Sequence, residues 1–201
     1  MNAPLRRPQD PEASRAAILQ AAEELFVQEG FAGTSMSEIA KASGVTKSLI
    51  HHHFGSKEGL WEEVKRTAFS EYHEQQLELF ATTEPSPELL ERSLAVYFRF
   101  LRKKPHLVRL MSWMHLEEDR VCSEMLEELC TRGIERIEAA QAGGLLRTDV
   151  PARHILMIFL GIVHTWFNEQ TTVPVVEDPD ADAEVYLESA WKIFSTGLVV
   201  R

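Results

Sequence analysis

Hydrophobic side chains recur at intervals of three and four residues along most of this chain, a spacing that places them on one face of an α-helix. The first such stretch begins near Glu12 and is ended by Gly30. Its apolar face is formed by Ile18, Leu19, Ala22, Leu25 and Phe26. Because no segment alternates convincingly like a β-strand and no internal repeat is visible, the pattern predicts an all-α protein.

Two short helices are predicted directly after the first one. Ser35-Met36-Ser37-Glu38 has the form of a capping box, in which the Ser caps a helix and the Glu three positions later caps the Ser in return. This second helix would end at Gly44, where glycine permits a left-handed turn. The third would begin after Val45, with Thr46 as its N-cap, and end at Phe54. Two short helices joined by such a turn have the geometry of a helix-turn-helix.

A long connecting helix and a larger helical part are predicted to follow. The fourth helix should run from Glu58 towards Phe80, and the stretch Thr82–Pro87, which contains two prolines, should be a linker. Later helices are predicted at 88–103, 105–118, 121–142, 152–169 and 182–200. The prediction is therefore a small N-terminal group of helices, a long connector and a helical bundle.

Charge restricts where an anionic partner could bind. The chain has 201 residues and a formal net charge of −10, so a uniformly basic surface is absent. Acidic residues are frequent except between Lys41 and Lys57, where there is none. Lys41, Lys47 and Lys57 could approach phosphates, and Thr46 and Ser48 could donate hydrogen bonds to phosphates or base edges. An ordinary solvated helical hairpin would show the same spacing, so this pattern alone leaves both interpretations open.

A characteristic series of residues runs through positions 15–61. It consists of Ile18, Ala21, Ala22, Leu25, Phe26, Gly30-Phe31, Thr34-Ser35, Ile39-Ala40, Gly44-Val45-Thr46, His53-Phe54, Ser56-Lys57-Glu58 and Leu60. With this series, the segment resembles the DNA-binding domain of the TetR family of regulators. The resemblance implies an N-terminal three-helix helix-turn-helix DNA-binding domain, followed by a larger helical ligand-binding and dimerisation domain. We expect a flexible N-terminal arm at 1–11, the DNA-binding domain at 12–57 and the ligand-binding and dimerisation domain at 58–201.

The resemblance also implies which side chains contact DNA. They are Thr34, Ser35, Thr46, Lys47, Ser48, His51, His52 and Lys57. Thr34 would contact a phosphate at the start of the second helix, and Lys57 would hold another at the start of the fourth. The residues of the third helix would face the major groove, except His51. It stands where the family usually has a Tyr whose hydroxyl contacts the backbone, so its contribution is open.

Two groups of residues suggest a metal site, although neither has the expected geometry. His51-His52-His53 are adjacent on a predicted helix, where successive side chains point about 100° apart and cannot converge on one ion. A second group consists of His115, Glu117, Glu118, Asp119 and Cys122. It contains no convincing pair of ligands, and charged runs at helix ends are usually solvated. We therefore predict no metal and no cofactor other than a small-molecule effector.

The C-terminal half carries helices that are too apolar for the surface of a monomer. The run Ile155–Val163 is hydrophobic on all sides and so requires burial on two sides. The last predicted helix adds a second apolar stripe. Consistent with the resemblance, we predict a homodimer formed through the helices near 152–169 and 182–200. The core of a monomeric protein is the alternative explanation for the same pattern.

A second set of residues in this half has the composition of a small-molecule pocket. It combines soft apolar side chains with a few polar ones, which is typical of such pockets. The set consists of Met111, Trp113, Met114, His115, Trp166 and Phe167. Methionine and aromatic residues at helical spacing are also typical of an ordinary core, and His164 is interpreted as a core histidine with a satisfied hydrogen bond.

These features together predict a sequence-specific DNA-binding transcriptional regulator. We expect a homodimeric repressor that a small, largely apolar effector releases from a palindromic double-stranded DNA operator. Motifs of nucleotide-binding enzymes, serine hydrolases and zinc proteases are absent from the sequence, so we do not expect an enzyme. Two cysteines and no apolar run of about 20 residues favour a reduced, cytoplasmic protein without a membrane partner. A helical interaction protein and a metal-responsive regulator are the alternatives.

Overall fold

The computed structural model describes residues 10–117, 124–169 and 178–200. Within these ranges the chain folds into nine α-helices and no regular strand, as the hydrophobic pattern predicts. The helices are α1 (Pro11–Gly33), α2 (Met36–Ser43), α3 (Lys47–Phe54), α4 (Lys57–Thr82), α5 (Pro87–Lys103), α6 (His106–Leu116), α7 (Glu124–Ala142), α8 (Ala152–Glu169) and α9 (Pro179–Leu198). No helix in the described ranges is both long enough and apolar enough to cross a bilayer.

Capping groups fix the ends of the two short helices at their predicted places. The Glu38 N–H donates to Ser35 Oγ at 3.2 Å, and the Ser35 N–H donates to Glu38 Oε2 at 2.8 Å, which completes the capping box. Gly44, with φ of 71°, ends α2 in the left-handed conformation. Thr46 Oγ1 accepts the Leu49 N–H at 3.3 Å and so begins α3.

Two predicted boundaries shift because caps lie earlier in the sequence than the apolar pattern. Of the predicted arm at 1–11, residues 1–9 lie outside the described ranges, and Asp10 already caps α1 by accepting the Glu12 N–H at 3.1 Å. The last helix begins at Pro179 and not at 182, since Asp178 caps it. The predicted ends of helices at 118 and 121 also lie outside the described ranges.

The chain forms two compact units, and α4 and α6 each contribute residues to both. The units are Met1–Phe69 with Arg109–Ser123, and Ser70–Val108 with Glu124–Arg201. The predicted boundary between 57 and 58 therefore does not separate these units. The reason is that Leu60 and Trp61 of α4 are buried in the first unit, where the Trp61 ring meets Phe26 of α1 edge-on at 4.8 Å. As a division of function, 12–57 and 58–201 remain a prediction.

The first unit packs α1, α2, α3 and the start of α4 around one apolar core. Its fully buried side chains include Ile18, Phe26, Ile39, Ile50 and Leu60. Burial of each contributes about 1.5–3 kcal/mol to folding. Because these side chains occupy the inward faces of the short helices, the polar residues of α3 are left on the opposite face.

The second unit has an apolar core with a buried polar pair between α4 and α5. Leu94, Phe98 and Leu101 of α5 are fully buried. Gln76 Nε2 donates to the Ser93 backbone oxygen at 3.0 Å, and Ser93 Oγ donates to Gln76 Oε1 at 2.9 Å. Each group therefore has a partner, which removes most of the cost of burying it.

Candidate nucleic-acid interface

One face of α3 and its N-cap is polar and exposed. Its exposed residues are Thr46, Lys47, Ser48, His51 and His52. They share the helix with Ile50, which is fully buried and fixes the orientation of α3 in the unit. The exposed face carries no carboxylate, and α3 begins at its electropositive N-terminal end. A surface of this kind can bind phosphate oxygens and present donors to the edges of bases.

Two hydroxyl groups lie together at the start of α3. Thr46 Oγ1 and Ser48 Oγ are 3.1 Å apart, and both side chains are exposed. Thr46 also accepts a backbone N–H as the cap, which leaves its hydroxyl hydrogen to act as a donor. The cap therefore presents a hydroxyl group at the place where the helix dipole attracts anions.

The His51 imidazole is held by the turn that follows α3. Its Nδ1 lies 2.8 Å from the Gly55 backbone oxygen, and the Gly55 N–H donates to the His51 backbone oxygen at 2.9 Å. Gly55 has φ of 74° and ψ of −63°, a conformation that favours glycine. This pair of hydrogen bonds orients the ring, while its side chain stays exposed.

Lys57, the first residue of α4, packs against α1. Its Nζ lies 4.3 Å from the centre of the Phe31 ring, a cation–π contact that limits where the ammonium group can move. Hydrogen bonds from the Ser35 side chain and backbone lower the pKa of Glu38, and the Lys57 charge lowers it further. At the start of α2, Ser35 thus interacts with Glu38 through hydrogen bonds, and Lys57 interacts with Glu38 through its charge.

Thr34 is the predicted DNA contact that the structure does not support. The residue is 2% exposed, and its Oγ1 donates to the Gly30 backbone oxygen at 2.7 Å. The physical reason is the break in α1 at Gly30, which leaves this carbonyl without its usual helical partner. We therefore remove Thr34 from the candidate contacts, whereas Ser35 is exposed.

No three His, Cys, Asp or Glu side chains within the described ranges are arranged to hold a metal ion. The ring centres of His52 and His53 are 5.7 Å apart, and His53 is half-buried with no partner for its Nε2. Of the second group suggested by the sequence, Glu118, Asp119 and Cys122 lie outside the described residues.

Helix α6 satisfies the backbone groups that the break in α1 exposes. Gly30 has φ of 73° and ψ of 178°, so the helical hydrogen bonds that would span it cannot form. The carbonyls that lose these bonds accept from α6 side chains instead. Trp113 Nε1 donates to the Val27 oxygen at 3.2 Å, and Arg109 Nη2 donates to the Gln28 oxygen at 2.8 Å.

The matching N–H groups after the break are also bound, by a carboxylate at the end of α6. Phe31 N–H donates to Glu117 Oε2 at 3.1 Å, and Ala32 N–H donates to Glu117 Oε1 at 2.9 Å. Both ends of two interrupted helical hydrogen bonds are therefore satisfied by three side chains from a distant part of the sequence. The residues Arg109, Trp113 and Glu117 are called the α6 clamp below.

Two family profiles match this chain. One, described as bacterial regulatory proteins of the tetR family, matches residues 18–64, and the other, described as a Tetracyclin repressor-like C-terminal domain, matches residues 94–187. The chain belongs to the TetR family. It is therefore a DNA-binding transcriptional regulator and not an enzyme.

Full-length relatives agree with this assignment. The transcriptional repressor NicS of Pseudomonas putida is 24% identical over 201 residues, covering 97% of this chain and 94% of NicS. The transcriptional regulator AcrR of Shigella flexneri is 26% identical, covering 89% of this chain and 88% of AcrR. The structure of AibR in complex with isovaleryl coenzyme A and operator DNA has a TM-score of 0.69 and 21% identity, covering 90% and 97% of the two chains.

The residues predicted to line an effector pocket in this TetR-family protein are divided between its two units. Met111, Trp113, Met114 and His115 belong to the first unit, whereas Trp166 and Phe167 belong to the second. Trp113 is engaged in the α6 clamp, and His115 is exposed. Trp166 packs on Tyr186, with ring centres 4.9 Å apart. The assignment of these six residues to one effector pocket stays a prediction.

The second unit also contains a polar cluster that sequence analysis did not assign to a pocket. The Tyr97 hydroxyl lies 2.6 Å from His164 Nε2, and the Tyr72 and Tyr97 rings are 4.9 Å apart. Burial raises the pKa of both tyrosines and lowers the pKa of His164, so all three side chains are uncharged near neutral pH. A signal was present in the sequence, since the polar His164 directly follows the apolar run Ile155–Val163.

Burial of His164 should make the second unit sensitive to mild acid. Because its pKa is lowered in the folded state, the unfolded chain binds a proton that the folded chain does not. We expect the free energy of unfolding to fall as the pH drops from about 7 to about 5, and His164→Gln to reduce that fall. Urea denaturation at several pH values measures it. If the free energy of unfolding depended on pH equally in His164→Gln and in the exposed control His106→Gln, the assignment of the acid sensitivity to His164 would be contradicted.

Proposed function

We propose that this regulator is a homodimeric repressor that contacts a palindromic operator through α3 and is released by a small, largely apolar effector. The observation that carries the proposal is the exposed face of α3, which has no carboxylate although the whole chain has a net charge of −10. Since DNA is its partner, we expect the protein to act in the cytoplasm.

The proposed contacts fall into two groups. Ser35 and Lys57 would bind backbone phosphates beside the groove, and His51 would do so from the end of α3. The residues that would enter the major groove are Thr46, Lys47, Ser48 and His52. Each is exposed, and the cap and the buried Ile50 fix the helix that carries them. Backbone contacts would set the register, and groove contacts would distinguish base pairs.

The proposed dimer interface lies on α8 and α9. Met157 and Ile158 of α8 and Val185 and Ile193 of α9 are exposed in the single chain, with 68%, 53%, 59% and 77% of their surfaces accessible. An apolar groove also lies between Ile158 and Ile162 on one side and Tyr186, Ala190 and Ile193 on the other. Large contiguous apolar surfaces favour a partner, and a second copy would present the same helices.

We propose that the effector binds in the second unit and is uncharged there. Tyr97 and His164 bond each other and the Tyr186 hydroxyl donates to the Ile162 backbone oxygen, all among aromatic rings, and burial raises the pKa of Tyr186 as well. Such surroundings favour an apolar ligand with few polar atoms. The AibR complex, which holds isovaleryl coenzyme A and operator DNA, supports the idea that this fold accommodates both kinds of partner.

The α6 clamp would transmit effector binding to the DNA-binding helices. Helices α4 and α6 each include residues of both units, and the clamp attaches α6 to the end of α1 by four hydrogen bonds. An effector that binds more tightly when α6 is displaced would favour the displaced state. The affinity for DNA would then fall by up to the ratio of the effector's affinities for the displaced and the undisplaced state.

Loss of the Glu117 carboxylate should loosen the end of α1. In Glu117→Ala the N–H groups of Phe31 and Ala32 lose their acceptor, at an expected cost of about 1–2 kcal/mol. Hydrogen exchange followed by NMR should show faster exchange of these two amides. The matched control is Glu29→Ala, which removes an exposed carboxylate of α1. Unchanged protection of both amides in Glu117→Ala would argue against the clamp.

Selection of bound duplexes from a random DNA pool tests the proposed function. We expect an inverted repeat with half-sites about 34 Å apart or a multiple of this distance. Inserting about five base pairs between the half-sites should abolish tight binding, because half a turn places them on opposite faces. Recovery of no common sequence, or binding indifferent to the insertion, would contradict a dimeric sequence-specific repressor.

A further inference from the structure

The Gly55 carbonyl determines which nitrogen of His51 carries a proton. A backbone carbonyl can only accept a hydrogen bond, so the 2.8 Å contact requires the hydrogen to be on Nδ1. The backbone bond from the Gly55 N–H to the His51 oxygen, at 2.9 Å, holds the turn in place for this contact. The neutral ring must therefore have a lone pair, and no hydrogen, on its other nitrogen, Nε2.

An unprotonated Nε2 cannot donate to a phosphate. Phosphate oxygens are acceptors, and a neutral His51 would bring one acceptor towards another. When the ring takes up a proton, Nε2 gains a hydrogen and the ring a positive charge, while the Nδ1 bond to Gly55 is retained. The imidazolium is then a charge-assisted donor of the kind that binds phosphate strongly.

We propose that His51 binds a backbone phosphate of the operator only as the imidazolium, so that each protomer takes up a proton when it binds DNA. This inference rests on the proposed function, since it assigns a chemical state to one of its contacts. Histidine is the side chain whose charge ordinarily changes between pH 5 and 8. Operator affinity should therefore rise as the pH falls through that range.

The charged groups around α3 favour this assignment. The charged and titratable groups on α3 and on the neighbouring parts of other helices include Arg15 on α1, Glu38 and Lys41 on α2, Lys47, His52 and His53 on α3, and Lys57, Glu58 and Glu63 on α4. The carboxylates have other partners: Ser35 bonds Glu38, Ser56 bonds Glu58, and Arg15 and Arg66 bond Glu63. The phosphate itself would thus supply the negative charge that holds the proton.

Operator binding measured at two pH values tests the proposal. The probe is the duplex recovered by selection, labelled for fluorescence anisotropy and titrated with the full-length protein at constant ionic strength. We expect the wild type to bind about tenfold more tightly at pH 6 than at pH 8. His51→Gln should lose this difference, and the exposed control His106→Gln should keep it.

A tyrosine at this position provides a gain-of-function variant. Its hydroxyl donates at both pH values, so His51→Tyr should bind more tightly than the wild type at pH 8 and show no difference between pH 6 and 8. A pH difference that persists in His51→Gln, that disappears instead in His52→Gln, or that is absent from the wild type would overturn the proposal. Binding without sequence preference at both pH values would instead refute the proposed function.

Discussion

Replacing Ile193 with glutamate is expected to convert the proposed dimer into a monomer and to weaken operator binding about 100-fold or more. Ile193 is 77% exposed in the single chain and lies at the edge of the apolar groove on α8 and α9. In the proposed dimer two glutamates would be buried without partners, at an effective cost of several kcal/mol per charge. A monomer would contact one half-site and lose the contacts to the other.

Sedimentation velocity and anisotropy titrations measure the two effects separately. The matched control is Leu116→Glu, which places the same charge at another exposed apolar residue, 70% accessible and outside α8 and α9. We expect this control to remain dimeric. If Ile193→Glu also remained a dimer with unchanged thermal stability, the interface would lie elsewhere.

Gly30→Ala is expected to destabilise the first unit by about 3 kcal/mol, through backbone strain and a steric clash. The φ of 73° and ψ of 178° at Gly30 belong to a region that other residues hardly adopt. An added Cβ would also lie 2.8 Å from Glu117 Oε1 and from the Trp113 ring, closer than any ordinary contact. The α6 clamp would have to move to accept it.

Urea denaturation compares this variant with Gly44→Ala. Gly44 also has a positive φ, 71°, but an added Cβ there would meet no atom within 4 Å. We therefore expect Gly44→Ala to cost about 1 kcal/mol, from backbone strain alone. Equal losses in the two variants would show that the contacts with Glu117 and Trp113 contribute nothing to the requirement for glycine at position 30.

The parts of the fold that depend on neighbouring residues could be predicted from the sequence. The capping box at Ser35, the left-handed turn at Gly44 and the cap at Thr46 each involve groups within a few residues of one another. Local hydrogen bonds of this kind set the ends of a helix without help from distant parts of the chain. The exposed face of α3 could be predicted as well, because the apolar Ile50 marks the buried side of this helix and leaves its polar residues on the other side.

The parts that depend on distant residues could not be predicted. Glu117 accepts a hydrogen bond from the Phe31 N–H, 86 positions earlier in the sequence, and no local sequence pattern predicts this contact. The composition around Trp113 predicts a ligand pocket but does not reveal that its indole nitrogen donates to the Val27 backbone oxygen of α1. The phosphate contact predicted for Thr34 fails for a related reason, because the burial of this residue depends on the conformation of Gly30, which the sequence does not reveal. Composition alone does not distinguish a core aromatic residue from one that touches a ligand.

The salt dependence of operator binding by the wild type and Lys47→Ala tests most directly whether α3 contacts DNA. Lys47 is exposed on the face of α3 that has no carboxylate. Each neutralised phosphate contributes about 0.9 to the slope of log affinity against log salt concentration, so loss of Lys47 from both protomers of the proposed dimer should make the slope less steep by about 2.

The control for that measurement is Lys103→Ala. Lys103 is an exposed lysine that pairs with Glu71 at 3.0 Å in the second unit. We expect Lys103→Ala to retain the wild-type slope and affinity, and Lys47→Ala to show weaker binding with the smaller slope. Identical slopes and affinities for Lys47→Ala and the wild type would contradict the assignment of α3 as the DNA-binding helix.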